Sequence, residues 1–340
     1  MRLTDQHGVR RWNMTHRPTI LTVAALLLLS SAKAQGSDYK QFAARTELHP
    51  IQTLTLSDEQ FLKADTGGKS ITVSGQLRIA QGAGRLPVVM LIHGSGGIGS
   101  NIDLWSREFL QMGISAFAID GFTGRSLTSV NTDQARLGRL NLIVDAYRAL
   151  DILARHPRVD SGRIVLMGFS RGGQAALFAS LKRFQSAWNK SGAEFAAYIP
   201  FYPDCMTTYL SDTDVVDRPI RIFHGTPDDY NPVAPCKAYV SRLRGSGRDV
   251  QLTEYPNAQH AFDVPLLPLT PTAAKGAQTV RRCVIREEPM GQLINAVTKT
   301  AFVYTDPCVE RDPNVGHDPV ATEAAVQSVK DFLKMVFKLT

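Results

Sequence analysis

Several patterns are missing from this 340-residue sequence, and each absence removes a class of protein. No run of Lys and Arg is interleaved with aromatic residues, so a groove that tracks a phosphate backbone is not expected. None of the four cysteines forms a C-x-x-C pair, so the clustered ligands of a structural zinc site are lacking. The apolar run Ile20–Leu29 has only ten residues, whereas a membrane span needs about twenty. What remains, 44% hydrophobic and 20% charged residues, is ordinary for a globular protein with a core.

The first 34 residues have the order of charge, apolar stretch and small residues that is typical of a secretory leader. Arg10 and Arg11 precede the run Ile20–Leu29, and the segment AKA at 32–34 fits a cleavage site. We therefore expect a signal peptide over 1–34, a secreted or periplasmic protein, and no stable membrane span after cleavage. A membrane anchor is the alternative interpretation. The leader holds five of the 38 Lys and Arg and one of the 31 Asp and Glu, so the cleaved chain carries a net charge of +3. This small charge gives no reason to expect nucleic acid as a partner.

Beyond the leader, short apolar runs alternate with segments of helical periodicity. The predicted strands are Ile71–Ile79, Pro87–His93, Ile114–Ile119, Arg163–Phe169, Phe195–Tyr202, Pro219–Phe223 and Val250–Tyr255, and the predicted helices are Ile102–Met112, Asp133–Arg155, Gly172–Phe184, Pro232–Arg244 and Val320–Phe337. No element is predicted before Ile71, where a flexible start is expected. Continuous apolar runs indicate strands buried on both faces. The alternation predicts an α/β protein with a doubly wound, mostly parallel sheet and helices on both faces.

A candidate nucleophile stands where one of these strands becomes a helix. Gly168-Phe169-Ser170-Arg171-Gly172 matches G-x-S-x-G, a pattern in which a strained turn exposes the serine Oγ above the sheet. The alternative is a plain strand-to-helix turn whose glycines serve packing alone.

A serine hydroxyl needs a base, and the base needs an acid to orient it. His260 lies in the loop after strand Val250–Tyr255, and Asp228 and Asp229 follow strand Pro219–Phe223. Because the carboxyl ends of parallel strands share one edge, these residues should meet Ser170 there. The order Ser170, Asp228, His260 is the one expected for α/β hydrolases. Asp228 is the preferred acid, although the sequence does not settle the choice against Asp229.

Donors for an oxyanion are predicted at two places. The backbone N–H of Arg171 is one donor, and an N–H at Gly94 or Ser95, after strand Pro87–His93, is the other. The Arg171 side chain has two interpretations: it holds a substrate carboxylate, or it is bound into the structure. His93 and His224 also stand at strand ends, where hydrogen bonding within a turn is the favoured interpretation.

Together these motifs resemble the dienelactone hydrolase family of α/β hydrolases. The resemblance rests on GFSRGG at 168–173, on His224-Gly225 with Asp228-Asp229, and on HAF at 260–262, and it spans roughly residues 86–263. It implies the α/β-hydrolase fold and the hydrolysis of a small-molecule ester or lactone without a cofactor. Characterised dienelactone hydrolases use cysteine as the nucleophile, whereas this chain has Ser170.

We accordingly predict a carboxylic ester hydrolase that forms an acyl-enzyme on Ser170. Two alternatives come from other classes. A non-catalytic binding protein can keep a hydrolase fold. Gly94, Gly96 and Gly99 also match G-x-G-x-x-G, and with Asp120 after the next strand they imitate the fingerprint of a dinucleotide-binding oxidoreductase. The sequence leaves the substrate, its acyl length and the oligomeric state open.

The four cysteines all follow the leader, and an even count in an exported chain indicates two disulfides. Cys205 follows one strand and Cys236 opens the helix after the next, so both should lie at the same edge of the sheet, and we pair them. Cys283 and Cys308 then close a second loop. Four buried free thiols are the alternative.

We expect residues 35–340 to form a single hydrolase domain that carries an insertion at about 264–318. Such a long connection is uncommon unless it has a function. Because it begins just after His260, we expect it to form a wall or lid over the substrate pocket, with Leu266, Leu267 and Leu269 covering it. An ornament on the outer helices is the alternative.

Overall fold

The structure is a computed structural model that describes residues 39–339, so the predicted leader lies outside the described residues. The helices are α1 Asp58–Leu62, α2 Ser100–Gln111, α3 Asn141–Ala154, α4 Arg171–Phe178, α5 Lys182–Trp188, α6 Val233–Gly245 and α7 Pro319–Phe337. The strands are β1 Arg45–Thr55, β2 Lys69–Ile79, β3 Leu86–Ile92, β4 Ser115–Asp120, β5 Val159–Phe169, β6 Ala197–Phe201, β7 Thr207–Thr208, β8 Ile220–Gly225, β9 Val250–Tyr255, β10 Thr272–Ala273, β11 Gln278–Thr279, β12 Ile285–Glu288, β13 Gln292–Asn295, β14 Thr300–Ala301, β15 Glu310–Arg311 and β16 Asn314–Val315.

Eight strands form the central sheet in the order β1-β2-β4-β3-β5-β6-β8-β9. The pairs β1/β2 and β2/β4 are antiparallel, and every pair from β4/β3 to β8/β9 is parallel. The predicted doubly wound, mostly parallel α/β-hydrolase sheet is thus confirmed. Ile92 at the end of β3 lies opposite Gly168 of β5, so the loop after β3 begins beside the turn that contains Ser170.

Helices cover both faces of the sheet because each face is apolar. The buried residues of α3, α4, α5 and α6 pack into one core cluster with β3 and β5, and those of α2 and α7 pack into a second cluster on alternate residues of the same strands. Leu166 faces the first cluster and Val165 the second, as the two-residue period of a strand requires. In residues 39–339, no helix combines the length and the apolar character that crossing a bilayer requires.

The expectation of a flexible start before Ile71 is wrong. Strand β1 pairs with β2 along eleven residues, from Arg45 opposite Ile79 to Thr55 opposite Lys69. The first half of β1 is largely exposed, and only Ile51 and Thr53 are buried. With so few buried apolar positions, β1 has a weak periodic pattern, and it is the backbone ladder with β2 that makes it a strand.

Two predicted helices have different bounds because distant contacts override the local pattern. The helix predicted over Asp133–Arg155 begins only at Asn141, whose side chain accepts a hydrogen bond from Leu56 N at 2.8 Å. The helix predicted over Gly172–Phe184 is divided into α4 and α5. Between them Leu181 is extended and forms a bridge with Val215 of another loop.

Both expected disulfide pairings are present, Cys205 with Cys236 and Cys283 with Cys308. The described residues contain no free cysteine. The insertion 264–318 contains seven short strands, one 3-10 helix at Pro289–Gly291 and no α-helix. It pairs with the rest of the chain through β12, which runs parallel to β7.

Candidate active site

Ser170 occupies the sharp turn between β5 and α4. Its backbone has φ 54° and ψ −113°, a conformation that non-glycine residues rarely adopt and that marks stored strain. The neighbouring glycines permit this turn: a Cβ on Gly168 would lie 2.0 Å from the Gly172 oxygen, and one on Gly172 would lie 2.2 Å from the Ile92 oxygen. The turn therefore holds the Ser170 side chain above the carboxyl end of the sheet.

Ser170, His260 and Asp228 form a continuous chain of hydrogen bonds. His260 Nε2 lies 2.9 Å from Ser170 Oγ, and His260 Nδ1 lies 2.8 Å from Asp228 Oδ2. An ionised carboxylate only accepts, so Nδ1 carries the proton and Nε2 is left to accept from the serine hydroxyl. His260 is 3% exposed and Asp228 4%, so bulk water does not compete for these bonds.

The two neighbouring aspartates have different partners. Asp228 Oδ1 accepts from the backbone N–H groups of Tyr230 and Asn231 at 2.8 and 2.9 Å, which leaves Oδ2 for His260. Asp229 does not contact His260 in the structure. It accepts from Asn314 N at 2.7 Å and forms an ion pair with Arg281 at 2.9 Å, and both of these residues belong to the insertion.

Two tyrosine rings enclose His260. The ring of Tyr230 is stacked on the imidazole with centroids 4.5 Å apart, and that of Tyr202 meets it edge-on at 4.7 Å. The hydroxyl of Tyr202 donates to Asp263, a buried carboxylate that also accepts from Trp105 Nε1 at 2.7 Å. Burial raises the pKa of Asp263, and these donors oppose that rise. This network fixes the loop that follows His260.

The other predicted residues lie close to the same centre. A Cβ on Gly94 would be 3.3 Å from Ser170 Cβ, so the loop with Gly94 and Ser95 touches the serine. His93 Nε2 accepts from Gly121 N at 3.1 Å, and His224 Nδ1 lies 3.0 Å from the Gly225 oxygen. Both histidines therefore bond into turns, and burial lowers the pKa of each.

The Arg171 side chain is bound into the structure. One guanidinium nitrogen donates to Gln134 Oε1 at 2.7 Å and another donates to the Leu137 oxygen. Of the two interpretations offered by the sequence, these contacts favour the second. Arg171 is 5% exposed, and burial lowers its pKa.

An outer cavity of about 330 Å³ opens onto Ser170 and His260. Its walls include Phe169, Tyr202 and the insertion residues Val264, Leu267 and Val315. The expectation that three leucines cover the pocket is wrong for two of them. Leu266 is 85% exposed and Leu269 is 69% exposed, and only Leu267 lines the cavity.

A smaller inner cavity of about 30 Å³ lies on the other side of Ser170. Its walls are mostly polar and include Arg139, Arg171, Gln174, Asp204 and Tyr304. Ser95, Ser170 and Tyr230 line both cavities, so the serine stands where the two meet. A groove of about 690 Å³ between Lys182 and Arg218 contains none of the predicted site residues.

The insertion holds both loops that carry the partners of Ser170. Asn314 and Arg281 bind Asp229, beside Asp228, and Thr279 Oγ1 donates to the Tyr230 oxygen at 2.6 Å. Val315 forms a bridge with His260, and Gly316 N donates to the His260 oxygen at 3.2 Å. Sequence reasoning missed these residues. Only the position of the insertion just after His260 pointed to them.

Comparisons with known proteins give a family match and a shared fold. The model of the dienelactone hydrolase family matches residues 73–284. Among solved structures the chain is similar to a protein named m3DLH, with 19% identity, a TM-score of 0.55 and coverage of 86% of this chain and 98% of that one. It is also similar to a dienelactone hydrolase-like promiscuous phosphotriesterase from metagenomic libraries, at 16% identity, a TM-score of 0.50 and the same coverages. A dienelactone hydrolase from Klebsiella pneumoniae subsp. pneumoniae shares 18% identity over 64% of this chain and 88% of its own, with a TM-score of 0.47. No curated protein matches the sequence.

Proposed function

The chain belongs to the dienelactone hydrolase family, and from this membership we propose that it hydrolyses a carboxylic ester or lactone through an acyl-enzyme on Ser170. The observation that carries the proposal is the chain of hydrogen bonds from Asp228 through His260 to Ser170, with links of 2.8 and 2.9 Å. A buried and satisfied relay of this kind at a strained strand-to-helix turn is the arrangement that activates a serine.

In the first half of the reaction Ser170 is acylated. His260 Nε2 takes the proton from Ser170 Oγ as the oxygen forms a bond to the ester carbon. Asp228 holds the imidazole in the correct tautomer and stabilises its positive charge. The backbone N–H of Arg171, together with one at Gly94 or Ser95, receives the developing oxyanion. The carbon–oxygen bond to the alcohol then breaks, and His260 passes its proton to the departing alcohol oxygen.

The second half returns the enzyme to its starting state. A water molecule gives a proton to His260 Nε2 and its oxygen attacks the acyl carbon. The bond from that carbon to Ser170 Oγ breaks, Oγ regains the proton from His260, and the free acid leaves. Every proton passes through one nitrogen, so a single histidine serves both halves.

The competing interpretation of the glycine loop has less support. Gly94 lies against Ser170, which is the position that a backbone N–H donor to the oxyanion requires. Asp120, the acid that would bind a ribose, accepts from Phe122 N and Thr123 N at 2.9 and 3.0 Å within its own turn. We therefore propose no dinucleotide for this site.

The proposal extends to the organisation of the chain. Residues 35–340 form one hydrolase domain, and the insertion at 264–318 forms a wall of the substrate site, as the lining by Val264, Leu267 and Val315 supports. Two disulfides favour an oxidising compartment, so the protein is secreted or periplasmic after removal of residues 1–34.

A fluorophosphonate probe and an ester assay test the function together. The purified protein should be labelled at Ser170, located by peptide mass spectrometry, and should release nitrophenol from p-nitrophenyl acetate or butyrate. A protein that neither reacts with the probe nor cleaves any ester of a graded series would instead be a non-catalytic binding protein on a hydrolase fold.

A further inference from the structure

The two cavities beside Ser170 offer separate sites for the alcohol and the acyl group of an ester substrate. His260 lines the outer cavity and not the inner one. In the proposed reaction His260 gives its proton to the departing alcohol, so the alcohol must lie on its side, in the outer cavity. The acyl group then extends from the Ser170 oxygen into the inner cavity. This assignment rests on the proposed function.

The inner cavity limits the length of that acyl group. Its volume of about 30 Å³ compares with about 10–15 Å³ for one water-sized group. Two to three such groups therefore fit beyond the carbonyl carbon. Acetyl, glycolyl and lactyl groups are of about this size, whereas a straight chain of six carbons exceeds it.

The walls of the inner cavity are complementary to a polar group that both accepts and donates hydrogen bonds. Gln174 is 2% exposed, and its Nε2 has no hydrogen-bond partner among residues 39–339; the same holds for Arg171 Nε. Asp204 lines the same space, and its carboxylate can accept a hydrogen bond. An alkyl group there would leave buried donors unpaired, which is costly. A hydroxyl group in this cavity would have Gln174 and Arg171 as neighbouring donors and the Asp204 carboxylate as a neighbouring acceptor.

The charges around this cavity are balanced by other protein groups. Arg139 Nη1 lies 3.7 Å from Asp204 Oδ2 and its Nε lies 3.8 Å from Asp58 Oδ2. Arg139 also donates to Thr207 Oγ1 at 2.6 Å and to Tyr304 Oη at 3.0 Å. Arg171 is held by Gln134 and Leu137. An anionic acyl group would bring its charge close to Asp204, so a neutral polar group is preferred.

We propose that the inner cavity is an acyl site for a short group with a hydroxyl next to the carbonyl. The substrates are then esters of small 2-hydroxy acids, and the outer cavity accepts a larger, more apolar alcohol. A site whose buried polar groups bond a substrate hydroxyl discriminates strongly against an analogue that lacks it.

Three benzyl esters test this inference with the alcohol held constant. Benzyl 2-hydroxypropanoate carries the hydroxyl, benzyl 2-methylpropanoate replaces it with a methyl of similar size, and the benzyl half-ester of malonate offers a carboxylate. Turnover is followed by pH-stat titration, and each kcat/KM is divided by the hydroxide-catalysed rate constant of the same ester. This correction removes the intrinsic activation of the ester by the hydroxyl. We expect the corrected ratio of hydroxy to methyl ester to be at least about tenfold.

The variant Gln174→Leu should bring that ratio close to one, because the amide is lost at nearly constant volume. Gln185→Leu, on α5 and outside both cavities, is the matched control and should keep the wild-type ratio. A wild-type ratio near one, or a malonate half-ester that reacts fastest, would overturn the inference even while the fluorophosphonate labels Ser170. Loss of labelling and of all ester cleavage in the wild type would instead overturn the proposed function.

Discussion

Ser170 is the residue on which the proposed chemistry depends most directly. Ser170→Ala removes the nucleophile but leaves the turn, because alanine needs no more room than serine. We expect kcat for esters to fall by about three orders of magnitude or more. Circular dichroism and thermal unfolding serve as the check that the fold is retained. A variant that cleaves esters at the wild-type rate would show that another residue is the nucleophile.

Asp228 and Asp229 offer a comparison between adjacent carboxylates. Asp228→Asn removes the charge that orients His260, and a loss of about 10⁴-fold in kcat is expected. Asp229→Asn keeps an oxygen for Asn314 N and loses the bonds of Oδ2 to Asn314 Nδ2 and Arg281. The ion pair with Arg281 is partly exposed, so we expect a change in kcat of less than about tenfold. Steady-state kinetics with one ester measures both. Similar small effects would mean that the orienting acid lies elsewhere.

Single residues also show how far the sequence could predict the site. The chain order and the strand ends were enough to propose Ser170, Asp228 and His260, because a parallel sheet brings its carboxyl ends together. Tyr230 and Gln174 carry no such signal. Tyr230 reaches His260 through the geometry of its loop, and Gln174 becomes significant only because folding buries its nitrogen without a partner.

At the scale of elements, the loop at the start of the insertion presents adjacent leucines to different surroundings. Leu267 lines the outer cavity, whereas Leu266 is 85% exposed. Leu267→Ala enlarges the cavity and should change the relative kcat/KM of esters with small and large alcohols severalfold. Leu266→Ala is the matched control and should leave the series unchanged. Parallel behaviour of the two variants would argue against a wall at Leu267.

Strand β1 supplies a prediction about pH. Glu47 on β1 accepts from His156, after α3, at 2.9 Å and from His49 at 3.0 Å. Burial pushes the pKa of Glu47 upward, but the hydrogen bond and charge of His156 and the charge of Arg45 outweigh it, so its pKa lies below the usual 4.5. A carboxyl whose pKa is lowered by folding stabilises the protein above its unfolded pKa, and this contribution is lost as the pH falls through the folded pKa.

Urea unfolding of the wild type and of Glu47→Gln measures this contribution. The wild type should be the more stable at pH 6, and the difference in the free energy of unfolding should shrink below about pH 4.5. A difference that is constant from pH 6 to pH 3 would mean that the charge of Glu47 contributes nothing.

Elements with strong apolar patterns were predictable, and those that depend on distant partners were not. The buried parallel strands stood out because both of their faces are apolar. Strand β1 and the interruption at Leu181 depend on β2 and on Val215 respectively, and a local pattern contains no information about either. The short strands of the insertion have two to four residues each, too few to form any period.

At the scale of the whole molecule, two disulfides restrain the unfolded chain. Their loops span 31 and 25 residues, and the chain-entropy model gives about 3.5 kcal/mol for each. Cys205→Ser with Cys236→Ser, and Cys283→Ser with Cys308→Ser, should each lower Tm by roughly 7 °C. The second pair should also lower ester turnover below Tm more than the first does, because the insertion holds the loops of both Asp228 and His260. Calorimetry and kinetics on both double variants test this, and equal turnover in the two would contradict it.

The ion pair between Asp229 and Arg281 has a consequence for how these positions vary among related sequences. In the described residues the side chain of Asp229 bonds only to Arg281 and Asn314, both of which belong to the insertion. In a related chain that lacks the insertion, so that the loop with His260 leads directly into α7, a carboxylate next to Asp228 would have no arginine or amide to bind. The acid and the insertion should therefore be gained and lost together, so that a pairwise count across relatives finds position 229 covarying with positions 281 and 314 rather than with 228.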